Sequence, residues 1–268
     1  MLWSVLAHRS LIADFVRRDF KTRFAGSVLG IVWNVIHPLV MILIYALVFS
    51  QVMRAKLPGS ASAWSYSIFL CSGIIPWVLF NDLLMRYTGL FFEHANLIKK
   101  VSFPREILHA SAMITGSINF IISFTIFAVL LATLHVIGSH PVNIPFFSFI
   151  LFLLTLVLQQ VFCLGIGLAA SVLNVFFRDV AQLVTIVVQL WFWFTPIVYV
   201  ETVVPDALKS FLRINPMYHF MEIYRSILYL NTVPSVRTFF IVCVISFASL
   251  GVGYIIYRRL VEDVADEI

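Results

Sequence analysis

The chain has 268 residues, 61% of them hydrophobic and 12% charged, with a formal net charge of +5. Soluble domains carry about 25% charged and about 45–50% apolar residues, and a single soluble core cannot withdraw so much apolar surface from water. This composition excludes a soluble enzyme, a disordered chain and a nucleic-acid-binding domain; it leaves an all-α, multi-spanning membrane protein.

Residues 1–25 are predicted to form a cytoplasmic helix lying in the membrane interface. Ser10, Asp14, Arg17 and Lys21 recur on one helical stripe, while Val5, Ile12, Val16 and Phe20 occupy the other side. Arg9, Asp19 and Arg23 blur this pattern. The charges at Arg9, Asp14, Arg17, Arg18 and Asp19 interrupt any apolar signal region, so a cleaved signal is not expected.

A helix needs about 20 apolar residues to cross about 30 Å of hydrocarbon. Stretches free of Asp, Glu, Lys and Arg predict six spans within one domain, residues 26–268, at about 28–53, 66–85, 107–137, 146–173, 180–200 and 238–257. The turn-rich run 138–145 divides the long neutral stretch between the third and fourth. Placing both termini in the cytoplasm leaves twelve Lys and Arg inside against six outside, the favoured arrangement.

Pro38, Pro76 and Pro196 are expected inside spans one, two and five. Gly26 and Gly30 form either a helix contact or a hinge. Gly165, Gly167, Ala169 and Ser171 predict a close helix contact in span four. The amides Asn34, Asn119, Gln159, Gln160, Gln182 and Gln189 either bond across helices or face water. Cys71, Cys163 and Cys243 sit in apolar runs and read as packing residues. His37, His109 and His135 fall on separate spans, so no metal site is expected.

Between spans five and six, residues 201–235 are apolar yet charged, and Asn215-Pro216 divides them into two pieces too short to cross. They are predicted to be short re-entrant external helices, or an interfacial loop with ion pairs such as Glu222 with Arg225. No phosphate-cradling G-x-x-x-x-G-K-[ST] motif occurs, so the chain is not expected to hydrolyse ATP. Almost no acid lies deep in a span, which argues against an ion-coupled carrier.

Several phrases, in order along the chain, then carry a resemblance. They are Phe24-Ala25-Gly26-Ser27-Val28-Leu29-Gly30-Ile31-Val32-Trp33, Ser72-Gly73-Ile74-Ile75-Pro76-Trp77, Asn174-Val175-Phe176-Phe177-Arg178-Asp179, Phe192-Trp193-Phe194-Thr195-Pro196-Ile197-Val198-Tyr199 and Asn215-Pro216-Met217-Tyr218. Together they resemble the permease subunit of type-2 ABC exporters of cell-surface polysaccharide, the O-antigen branch. The resemblance implies a non-catalytic permease in the inner membrane, acting as a homodimer above two ATP-binding cassette subunits that hold ATP and Mg. A lipid-linked polysaccharide would be the substrate, and nucleic acid is not a partner. Residues 97–105 would hold the coupling helix, with Lys99, Lys100, Phe103 and Arg105 meeting the ATPase.

The segment 201–235 would be the external gate, with Pro216, Tyr218, Glu222 and Arg225 as its candidate residues. Aromatic rings suit the C–H faces of a sliding glycan, which makes Trp77, Phe80, Trp191, Phe194 and Tyr199 candidates to line the channel; interfacial anchoring is the alternative. Trp191 and Phe194 are three apart and able to share one helical face. Capsule and teichoic acid permeases share this plan. A membrane enzyme acting on polyprenyl-linked sugars would need acids such as Asp82 or Glu93, and a secondary carrier would need inverted repeats.

Overall fold

A computed structural model describes residues 8–23, 25–52, 57, 64–101, 103–139 and 145–268. The sequence expectations for Val5, Arg54, Lys56 and the turn residues 140–144 fall outside these residues. The described chain is helical, with no strand. Its helices are α1 (Arg9–Arg23), α2 (Trp33–Leu47), α3 (Ser65–Glu93), α4 (Ala95–Ile98), α5 (Glu106–Val136), α6 (Phe146–Phe176), α7 (Asp179–Phe194), α8 (Asp206–Ile214), α9 (Pro216–Leu228), α10 (Val236–Leu260) and α11 (Val264–Glu267).

Among the described residues, five stretches are long and apolar enough to cross a membrane: Gly30–Gln51, Ser65–Glu93, Glu106–Val136, Phe146–Phe176 and Val236–Leu260. The expected fifth span, 180–200, is helical only over the 16 residues of α7. At 1.5 Å per residue that is about 24 Å, short of the hydrocarbon thickness. Pro196 therefore lies beyond this helix and not inside it, which corrects the sequence expectation. Its ring crowds the preceding residue out of the helical region, and Thr195 is extended, with φ −105° and ψ 128°. Pro38 and Pro76 do lie inside helices, in α2 and α3.

The bundle is built around α3, where Ile68, Leu70, Phe80, Leu83, Tyr87 and Phe91 are completely buried. A helix apolar on every side belongs in the core, and α3 touches α5, α6, α7 and α9. On α6, a β-carbon at Gly165 would collide with the backbone at Ser249 and Leu250 of α10, and one at Gly167 with the ring of Tyr87. A β-carbon at Gly253 of α10 would collide with the Gly165 carbonyl. The small residues of span four therefore bring α6 and α10 into backbone contact and leave room for the Tyr87 ring of α3 against α6.

Amides tie the same helices together. Gln159 Nε2 donates to the Pro76 carbonyl at 2.7 Å and its Oε1 accepts from Tyr224 at 2.7 Å. Ser117 donates to Gln160 Oε1 at 3.1 Å. At the α6–α7 joint, Asn174 donates to the Thr88 carbonyl and accepts from the Ala181 amide, both at 2.9 Å. That amide is one of the donors a helix start leaves without an internal partner. Gln182 and Gln189 are exposed. All three cysteines are free thiols.

Gly26 and Gly30 have φ of +81° and +51°, with nothing within 4 Å of a would-be β-carbon. Glycine is needed there for its backbone freedom; the pair is a hinge between α1 and α2. Ile12 and Phe15 of α1 are buried, and α1 packs along α5. Two of the three charges that blur the polar stripe, Asp19 and Arg23, pair with α3, while Arg9 is exposed. Asp19 meets Arg86 at 2.8 Å, Arg86 meets Asp82 at 3.0 Å, and Asp82 meets Arg23 at 3.4 Å.

Candidate functional site

The segment after α7 is held down by Asn215. Its side-chain oxygen caps α9 by accepting from the Met217 amide at 2.9 Å, with Pro216 in the first turn. The same oxygen accepts from Trp191 Nε1 at 2.6 Å, and Asn215 Nδ2 donates to the Phe194 carbonyl and to Thr195 Oγ1, both at 2.9 Å. One side chain thus ends α7, starts α9 and joins them.

α9 sits within the bundle, against α3, α6 and α10. Met217, Phe220, Met221, Ile223 and Tyr224 are fully buried. Tyr218 donates to Glu201 Oε2 at 2.7 Å; burial first, and then this bond, raise its phenol above the ordinary value, so it stays protonated. Glu222 accepts from Thr238 at 3.2 Å and lies 3.9 Å from His219.

The Glu222–Arg225 pair of the alternative reading does not form; each side chain has other partners. Arg225 Nη2 donates to the Ile197 carbonyl at 2.9 Å, and the guanidinium lies 3.7 Å from the centre of the Phe69 ring. Tyr66 of α3 donates to the Val198 carbonyl beside it. The non-helical stretch after Pro196 is therefore anchored to α3 through its carbonyls. α8 lies outside these contacts and exposes Leu208, Phe211 and Ile214.

Of the aromatic candidates, Trp77 and Phe80 are buried, 6% and 0% exposed. The Trp77 ring packs on Phe80 at 5.1 Å and on Phe192 at 5.5 Å. Phe80 stacks on Phe162 at 6.0 Å and meets Trp191 edge-on at 5.1 Å. These rings form one cluster joining α3, α6 and α7. Phe194, by contrast, is 63% exposed, so it and Trp191 have different surroundings despite their spacing. Tyr199 donates to the Trp193 carbonyl at 2.9 Å.

At the opposite end, α4 overlaps the expected coupling segment only at Leu97 and Ile98. Lys99 and Lys100 are exposed, while Phe103 and Arg105 are half-buried. Phe103 packs on Phe15 of α1, with ring centres 5.9 Å apart, so the surface helix and this loop share one apolar contact. Ser102 lies outside the described residues.

Sequence reasoning missed two features. The tie of Asn215 to Trp191 was half legible, since Asn-Pro marks a helix start, but the partner 24 residues back was not. The ion-pair chain left only the blurred stripe as a signal.

A family model described as "ABC-2 type transporter" matches residues 12–229. An O-antigen export system permease protein RfbA from Myxococcus xanthus is 28% identical over 263 residues, covering 97% of this chain and 96% of that protein. An RfbA from Klebsiella pneumoniae is 29% identical over 255 residues, covering 93% and 92%. The polysialic acid transport protein KpsM of Escherichia coli is 22% identical over 246 residues, covering 91% of each.

Proposed function

The chain belongs to the ABC-2 type transporter family, and we propose that it is the permease subunit of an exporter of lipid-linked, O-antigen-like polysaccharide. The end-to-end likeness to the RfbA permeases carries this reading. In it the protein lies in the cytoplasmic membrane with both termini inside. Two copies work above two ATPase subunits, which hold ATP and Mg and do the hydrolysis. α7 and the non-helical stretch after it together complete the fifth crossing.

The exposed apolar faces support a second copy. α7 shows Leu183, Val187, Leu190 and Phe194 to its surroundings, and α2 shows Leu39, Leu43 and Leu47. In this proposal the glycan passes between the two copies, beside Phe194 and Tyr199. Trp77, Phe80 and Trp191 back that surface as a rigid ring cluster. α8, α9 and the stretch 195–204 form the external gate, with Pro216, Tyr218, Glu222 and Arg225 holding its closed shape. Lys99, Lys100, Phe103 and Arg105 receive the stroke of the ATPase.

Capsule export is the second reading, favoured by the weaker likeness to KpsM. The membrane-enzyme alternative loses one of its acids, because Asp82 is engaged by Arg86 and Arg23. The test is deletion of the gene in its native host, with replacement by a plasmid copy. Loss of long surface glycan, return with the plasmid, and recovery of a nucleotide-binding subunit with the tagged permease are expected. Unchanged surface glycan in the deletion strain would overturn the proposal; loss of capsule alone would favour the second reading.

A further inference from the structure

Two cavities meet at the Arg23–Asp82 pair. One, about 560 Å³, lies between α1, α3 and α5 and is lined by Arg18, Thr22, Glu93 and Thr115. The other, about 530 Å³, lies between α2, α3 and α5 and is mainly apolar, lined by Met41, Ile75, Val78 and Phe120. Both are of the size that holds a small ligand. Arg23 and Asp82 line both, so a polar chamber opens into an apolar one at a single charged step. That is the shape of an amphiphile.

The polar chamber carries unused charge of both signs. Among the described residues Arg18 and Glu93 make no ion pair and no side-chain hydrogen bond, and both are exposed. Arg23 is held by Asp82 only at 3.4 Å, while the other Asp82 oxygen serves Arg86 at 3.0 Å. Thr115 Oγ1, buried in the chamber wall, has no partner. Guanidinium groups take a phosphate in fixed geometry, and a free carboxylate takes an ammonium. In the apolar chamber the buried Asn34 Nδ2 also lacks a partner, and it would serve an ester carbonyl as a donor.

We propose that the paired cavities bind one phospholipid of the cytoplasmic leaflet with an amine-bearing, zwitterionic headgroup. Its phosphate lies at Arg18 and Arg23, its ammonium at Glu93, and one hydrocarbon chain between α2, α3 and α5. The placement rests on the reading above that α1 lies in the cytoplasmic interface. The polar chamber, closed on one side by α1, suits one phosphate and a small alcohol and not a chain of sugars, which excludes the transported glycan as its occupant. The bound lipid would wedge α1 and α2 at a fixed angle on either side of the Gly26–Gly30 hinge.

The test is native mass spectrometry of the full-length permease, purified with its ATPase partner in mild detergent. The preparation is incubated with a phosphoethanolamine lipid, a phosphoglycerol lipid or a polyprenyl diphosphate. Wild type is expected to retain one phosphoethanolamine lipid per permease chain. Arg18→Gln should lower that retention at least fivefold. Glu93→Gln should abolish the preference over phosphoglycerol, and Val78→Trp should lower retention of both phospholipids. Arg18, Glu93 and Val78 are exposed, so these substitutions leave the packed core untouched. Wild type retaining no phospholipid, variants retaining as much as wild type, or selective retention of the polyprenyl diphosphate would each overturn the proposal. Failure to recover an ATPase with wild type would instead count against the transporter reading, because lipid is counted on the permease chain alone.

Discussion

Gly73 of α3 lies directly beneath the guanidinium of Arg225: a β-carbon at position 73 would stand 3.1 Å from Nη2. The glycine is there for space, since its backbone is ordinary helix. It lets α9 bring a cation onto the Phe69 ring and to the Ile197 carbonyl. Gly73→Val should push the guanidinium off both contacts and reduce surface glycan severalfold at normal permease abundance. Arg225→Lys should do the same, because an ammonium cannot reproduce a planar group that stacks and donates together. Measured as a double-mutant cycle, the two changes should be far from additive. Simple additivity would mean that the pair does not act as one latch.

Asn215→Ala removes the α9 cap and leaves Trp191 Nε1 without its acceptor. The expected loss is about 2 kcal/mol of stability, from the cap and the orphaned donor together. Thermal unfolding in detergent should show a midpoint several degrees lower. Asn215→Asp keeps the cap and the acceptor for Trp191 but sets a carboxylate oxygen against the Phe194 carbonyl where Nδ2 donated, so it should recover only part of the loss.

Gly253→Val places a side chain against the Gly165 carbonyl, where only backbone fits. Overpacking costs about 1–3 kcal/mol even where side chains give way, and here the neighbour is main chain. The variant should accumulate poorly in membranes. Gly251, with nothing within 4 Å of its would-be β-carbon, should tolerate the same change; equal loss at both positions would contradict the packing account.

Phe103→Asp breaks the apolar contact with Phe15 and puts a carboxylate among Lys99, Lys100 and Arg105. Export should stop, or the ATPase should no longer copurify, while the permease still inserts. Phe103→Leu keeps the apolar contact and should retain most export. Normal export with the Asp variant would remove this loop from the coupling role.

Orientation is checked with Cys71, Cys163 and Cys243 replaced by Ala. A single cysteine at Ser139 should react with an impermeant thiol reagent in whole cells, and one at Lys100 should not. The reverse pattern would invert the arrangement drawn from the Lys and Arg distribution.

The helices that cross were largely visible in the sequence, because hydrocarbon admits only long uncharged runs and tolerates no unsatisfied backbone. That α6 makes a close helix contact was also legible from small residues four apart; that α10 is the partner was not. The turn at Gly26 and Gly30 was half legible: glycine announced freedom or contact, and only the positive φ values decided for freedom. α7 was overestimated because a charge count sees neither the steric reach of Pro196 onto Thr195 nor the cap that Asn215 supplies.

What the sequence alone could not decide was which distant groups meet. Asp19 and Arg86 are 67 positions apart, and Gln159 and Tyr224 are 65 apart. Composition and periodicity assign each residue a face, and a face is a local property. Partners across helices are chosen by packing, where the fit of Gly167 to Tyr87 or Gly73 to Arg225 sets the register of whole helices. The tertiary structure therefore turned a blurred polar stripe into an ion-pair chain, and row-mates such as Trp191 and Phe194 into one tethered ring and one exposed ring.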